Sequence, residues 1–252
     1  MMEIASNPAA YARYLDMQGE NPMYSAGNIA LVMVQNPDAT QIATADRWKA
    51  MGRTVLEVEK NNGVQIFSRS TFGKGYTLAN AYDISQTFGR EIKRQVLKPD
   101  SPEMEKALTA LLNFSVVPVV IDNEIGIPAW YDSRNMELAI QPDFPDAESF
   151  AAIAAEVAHS RFHAKGATPG YSHEESDLDA HSVSYILCKR FGIERSIPEL
   201  SNLQELYEGW DAQDIRQALT SIQDMSKQIG GSIERSIAPQ QHSRGNMRRP
   251  SR

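Results

Sequence analysis

A chain of 252 residues with a single cysteine, Cys188, has no means of building an internal disulfide framework, and that scarcity fits a reducing compartment. Long apolar runs are missing as well. The longest, residues 114–121, is broken by Ser115 and Pro118 and falls well short of the ~18 residues a membrane helix needs. The N-terminus, MMEIASNPAA, lacks the basic-then-apolar layout of a secretory leader. No internal repeat is visible. These absences lead us to expect a cytoplasmic protein with no membrane partner, long enough for one large or two small domains with real cores.

Charge is unevenly shared. The net charge is −7, yet residues 1–95 carry 10 Lys and Arg against 9 Asp and Glu. Residues 96–195 carry 8 against 16 and so hold the acidity, while from Arg235 onward there are five Arg and no acid. The middle third is therefore a poor surface for nucleic acid. The near-neutral first third and the basic tail remain open to it.

Local signals outline an α+β chain. Ser6-Asn7-Pro8 supplies an N-cap and a first-turn proline for a helix reaching Gly19. Tyr24-Ser25 starts a second helix, which Asn36-Pro37 stops. Residues 40–44 read as extended, 45–51 as a short helix, and 54–58 with 64–67 as a hairpin around Asn61-Asn62-Gly63. A further strand is expected over 76–82. After a linker at 98–102, Ser101 caps a helix from Pro102 to Leu112, and short strands follow at 116–121, 127–131 and 136–140. The next helix, over 147–165, is capped by Asp146 and stopped at Gly166; another spans 176–191, capped by Ser176 and stopped at Gly192. Asp211 caps a last amphipathic helix ending at Gly230-Gly231, and the Arg- and Ser-rich remainder reads as disordered. The expected divisions are a small α+β domain over 1–97, a second domain over 98–195, a helical extension over 196–231 and a tail over 232–252.

The most specific pattern lies in the helix over 147–165, where residues 155–159 read Ala-Glu-Val-Ala-His. In the metalloprotease motif H-E-x-x-H, two imidazoles at i and i+4 share one helical face and the glutamate beside them is the general base. Here Glu156 and His159 stand in place, but Ala155 has no lone pair to offer as the first ligand. His163 shares the face of His159, and His181, flanked by Asp177 and Asp179, offers a third group from the next helix. Four of the five histidines fall between 159 and 181. Two arrangements follow. His159, His163 and His181 hold zinc with Glu156 as base, or Glu156 itself becomes a ligand with His159 and His181, which removes the base and leaves a structural or redox metal. The bland alternative is that these histidines cap helix ends and bind nothing.

Residues 24–53, YSAGNIALVMVQNPDATQIATADRWKAMGR, resemble the N-terminal domain of ArdC-type antirestriction proteins, and the likeness continues through Gly63-Val64-Gln65-Ile66 and Tyr82-Asp83-Ile84-Ser85-Gln86-Thr87. Residues 129–138, 155–159 and 179–185 resemble the second part of that family, so the likeness spans roughly residues 10–195. Within the family the chain resembles LtrC-like proteins of conjugative elements. The resemblance implies an N-terminal domain that binds single-stranded DNA, followed by a zincin-like metallopeptidase domain. It also implies that Glu156 falls on the catalytic base, His159 on the second zinc ligand and His181 near a downstream acidic ligand. Ala155 and His181 depart from the family pattern, so a degenerate site is expected. The hairpin region carries Glu57 and Glu59 where the family tends to have Lys or Arg.

Single-strand binding needs cations for phosphates and flat side chains for base stacking. The candidates are Arg47, Lys49, Arg53 and Arg69 with Tyr24 and Trp48, and Asn28 and Gln35 as polar contacts. Tyr24 and Trp48 read equally well as core residues, and Asn28 or Gln86 as partners of buried backbone groups. The expectation is thus a cytoplasmic, mobile-element-associated protein that binds single-stranded DNA and carries a degenerate zincin-like domain. The alternatives are a metallopeptidase with a rearranged His/Glu site, and an interaction module that docks through the helix opened by Asp211.

Overall fold

Residues 1–70, 73–164 and 171–239 are described by the computed structural model. The expected helix stop at Gly166 and most of the expected disordered tail lie outside these residues. Helix α1 (Met2–Ser6) comes first, and Asn7 then caps α2 (Pro8–Glu20): its Oδ1 accepts from the N–H groups of Ala9 and Ala10, while Pro8 sits where no N–H is needed. Ser25 caps α3 (Ala26–Gln35) by accepting from the Asn28 N–H. Then come β1 (Ile42–Thr44), α4 (Ala45–Ala50), β2 (Arg53–Val55), β3 (Val64–Arg69), β4 (Tyr76–Asp83) and β5 (Thr87–Gly89). β4 lies between β1 and β3 in an antiparallel sheet, and β2 pairs with β5 in a separate ribbon.

The expected hairpin around Asn61-Asn62-Gly63 is not formed. Residues Glu57–Glu59 make a 3₁₀ turn, β2 turns to β5, and β3 pairs with β4. Tertiary bonding overrides the local turn signal. The Arg53 guanidinium donates to the Thr87 hydroxyl and to the carbonyl oxygens of Ile84, Thr87 and Arg90, which binds β2 to β5.

In the second part, Ser101 caps α5 (Pro102–Leu112), and three short strands follow: β6 (Val119–Ile121), β7 (Ala129–Asp132) and β8 (Glu137–Ile140). β8 is central, parallel to β6 and antiparallel to β7. Helices α6 (Asp146–Ala164), α7 (His173–Arg190), α8 (Leu203–Leu206) and α9 (Ala212–Ile237) complete the α+β architecture. α7 is the hub: it packs against α2, α6 and α9. One apolar core runs from Tyr11, Tyr14 and Leu15 of α2 through Phe150 of α6 and Leu187 of α7 to Ile222 and Ile229 of α9. A smaller cluster of Ala43, Trp48, Val55 and Tyr82 fills the space beneath β1 and β4.

Two boundaries differ from expectation. α7 begins three residues early, because Ser172 rather than Ser176 caps it by accepting from the Glu175 N–H. α9 runs through Gly230-Gly231 to Ile237, so residues 232–237 are helical and not disordered. Gly230 makes room for a neighbour instead of ending the helix: a Cβ there would lie 2.2 Å from the Arg190 guanidinium.

Candidate functional site

The helix α6 carries Ala151, Ala152, Ala154, Ala155 and Ala158, and such small residues let it approach β7, α5 and α7 closely. That packing buries Glu156 and His159. The Tyr131 N–H, on β7, donates to Glu156 Oε2 at 2.9 Å, and His173 Nε2 lies 3.2 Å from the same oxygen. His159 has no exposed surface. Its Nδ1 shares a hydrogen bond of 2.9 Å with the Tyr171 hydroxyl, while its Nε2 has no hydrogen-bond partner among the described residues and sits 3.7 Å from Asp177 Oδ1. Burial holds the His159 pKa down, against the opposing pull of Asp177 and Glu156. The ring is thus neutral and can lend a lone pair.

His173 lies between two rings. Its centroid is 3.7 Å from that of His159 and 4.4 Å from that of Trp130, both pairs stacked. Among the described residues, Glu156, His159 and His173 form the one group of three whose donor atoms all lie within 4.8 Å of each other, close enough to hold a metal ion.

The predicted ligand trio, His159, His163 and His181, is not brought together in this way. His163 turns aside, with Nδ1 bonded to the Tyr131 hydroxyl at 2.6 Å and its ring stacked on Tyr171. His181 faces Asp177, with Nε2 3.3 Å from Oδ1, and the Arg195 guanidinium donates to its Nδ1. Arginine has donors only, so His181 carries its own proton on Nε2. Asp177, between His159 and His181, is held well below the usual carboxylate range by the neighbouring imidazoles, His159 first and His181 second. The expected start of α7 at Ser176 left His173 in a loop. With the true start, His173, Asp177 and His181 form an i, i+4, i+8 stripe facing α6, a signal present in the sequence but hidden by the wrong cap.

The nucleic-acid candidates fall into two groups. Trp48 is core: it is buried and its Nε1–H donates to the Tyr82 carbonyl oxygen. Asn28 is buried against β3, Gln35 bonds the β3 backbone, and Arg53 is committed to β5. Tyr24 is partly buried, its hydroxyl pKa raised by that burial, in a cleft of about 200 Å³ that it shares with Arg47 and Trp48. Arg47, Lys49 and Arg69 are exposed. Sequence reasoning missed Phe67, Leu78 and Tyr76, which with Arg69 lie on the solvent face of the β3–β4 pair. Their signal was the alternation with Val64 and Ile66, whose side chains are buried on the opposite face.

No protein-family model and no curated protein matches this sequence. Among solved structures, the Mn(II)-bound ArdC antirestriction protein from plasmid R388 aligns over 86% of this chain and 86% of its own, at 15% identity and a TM-score of 0.51. The metal-free form of that protein aligns over 85% of each chain, at 15% identity and a TM-score of 0.49. No helix among the described residues is long and apolar enough to cross a membrane. The chain has an α+β fold of the ArdC type.

Proposed function

We propose that this chain is a mobile-element-associated, ArdC-like protein that binds single-stranded DNA through residues 1–97. In this reading residues 98–195 form a zincin-like domain whose hydrolytic site has been given up. The observation that carries the reading is the solvent face of β3 and β4. There Phe67 stands opposite Leu78, and Arg69 opposite Tyr76. Phe67, Leu78 and Tyr76 are 52%, 59% and 70% exposed, more than packing within this chain explains. Between Val64 and Tyr82 there is no acid, but Arg69 and Lys74 are present in a chain of net charge −7. Flat rings with cations beside them suit bases and phosphates, whichever the base sequence. The likeness to an antirestriction protein of a plasmid is consistent with a DNA partner and a mobile-element setting.

Peptide hydrolysis is the weaker reading. Ala155 replaces a ligand, and the one carboxylate in the position of a base already accepts from Tyr131 and faces His173.

Fluorescence anisotropy with a labelled oligothymidine at low ionic strength tests the proposal. We expect salt-sensitive binding that Phe67→Ala and Tyr76→Ala each weaken by roughly 5- to 150-fold, given about 1–3 kcal/mol per stacked base. No shift at low salt, or both variants binding like the parent, would sink it.

A further inference from the structure

The helix that lost its first ligand at Ala155 has a replacement one helix away. We infer that Glu156, His159 and His173 form a divalent transition-metal site, with His173 at the start of α7 doing what residue 155 does in the H-E-x-x-H pattern. The inference goes beyond the DNA-binding reading and does not depend on it. Four observations carry it.

The donor set comes first. Two imidazole nitrogens and one carboxylate oxygen are a ligand combination that first-row divalent ions accept. Second is spacing. Two atoms each ~2.0–2.2 Å from one ion stand about 3–4 Å apart, and His173 Nε2 lies 3.2 Å from Glu156 Oε2. Third, His159 Nε2 is fully buried and has no hydrogen-bond partner among the described residues, although its ring is held from the other side by Tyr171. If the Nδ1–H donates to the Tyr171 oxygen, Nε2 keeps a bare lone pair, as metal-binding histidines do. Fourth, the surroundings orient the ligands. Trp130 stacks on His173, the Tyr131 N–H fixes Glu156, and Asp177 borders the site 3.7 Å from His159 Nε2. Asp177 is itself aligned by His181, whose tautomer Arg195 sets.

In this arrangement the glutamate is a ligand and not a base. The centre would tie α6 to the first turn of α7, and peptide cleavage is not needed to explain it.

The test uses the full chain, stripped with chelator and dialysed against MnCl2, CoCl2 or ZnCl2. We expect about one equivalent of metal and a rise in melting temperature on loading. Co(II) should also quench tryptophan emission, because Trp130 lies against the ligand ring. His173→Phe keeps a ring between Trp130 and His159 but removes the nitrogen, and should weaken binding by at least 10-fold without unfolding the protein. His163→Phe should bind as the parent does. Less than a tenth of an equivalent of every metal would overturn the proposal. So would a His173→Phe variant that binds normally, or a His163→Phe variant that loses metal while still folded.

Discussion

The side-chain amide of Asn28 bonds both backbone groups of Phe67: Nδ2 donates to the carbonyl oxygen at 2.8 Å, and Oδ1 accepts from the N–H at 2.9 Å. Gln35, two helical turns further along α3, makes the same paired contact with Gln65. β3 is an edge strand, and these two amides satisfy the outward peptide groups that a further strand would otherwise claim. They also hold in place the strand that displays Phe67. Asn28 is therefore a positioning residue and not a surface contact.

Asn28→Ala should lower stability by about 1–3 kcal/mol, since it leaves an N–H and a carbonyl of Phe67 without partners. Urea unfolding measures the loss. The freed edge should also promote association, seen as a concentration-dependent shift in gel filtration. A variant as stable and as monodisperse as the parent would mean that the contact is incidental.

What could be read from the sequence follows a physical pattern. Helices with a good cap residue and a proline beside it, such as α2 and α5, were legible because capping is local. The shared face of Glu156 and His159 was legible for the same reason, since helical spacing alone dictates it. The partner of β2 was not, because it depends on Arg53 reaching residues more than thirty positions away. His173 was hidden because Ser172 and Ser176 both offer a cap, and the choice between them moves the histidine onto or off the helix. Trp48 and Asn28 each carried two readings, and only burial separates an interior hydrogen-bonding group from an exposed one.

The paired glycines of α9 should respond in opposite ways to alanine. Gly231 meets only the tip of Arg235 at 3.5 Å, so Gly231→Ala should gain about 0.5–1 kcal/mol from helix propensity. Gly230→Ala makes the same local gain but drives a methyl group into the Arg190 guanidinium. That group is largely buried and bonded to Glu234 at 2.7 Å, so it cannot swing away at low cost. A net loss of about 1–3 kcal/mol is expected. Thermal unfolding of the two variants side by side decides the matter. Equal effects would mean that Arg190 relaxes freely.

Cys188 should be unreactive in the native protein. Burial pushes its thiol pKa up to about 11, against the opposing influence of Arg195. At pH 8 only about one thiol in a thousand is then ionised, against roughly a quarter at an ordinary pKa. Labelling with a thiol reagent should be slowed at least a hundredfold relative to protein in guanidinium, and should quicken as pH rises toward 11. The sign for stability follows from the same shift. The unfolded thiol ionises at lower pH than the folded one, so a contribution of up to about 3 kcal/mol should be lost between about pH 9 and 11. Rapid native labelling at pH 8 would show that the thiol is open to solvent.

Arg53 provides the sharpest contrast with a phosphate-binding role. Its guanidinium makes four hydrogen bonds, to the Thr87 hydroxyl and to three carbonyl oxygens, and so joins β2 to β5 from within the fold. Arg53→Ala should therefore lower stability by about 2–4 kcal/mol, because it strips a charged donor from several partly buried acceptors. Measured well below its own melting temperature, the variant should bind oligonucleotide within about twofold of the parent. Arg69→Ala should do the reverse. It should leave the melting temperature nearly unchanged, weaken binding and reduce the slope of log affinity against log salt by about 0.7, the loss of one single-strand phosphate contact. Anisotropy at three salt concentrations, paired with thermal unfolding, separates the two. If Arg53→Ala instead folds like the parent and fails to bind, the guanidinium belongs to the nucleic-acid face.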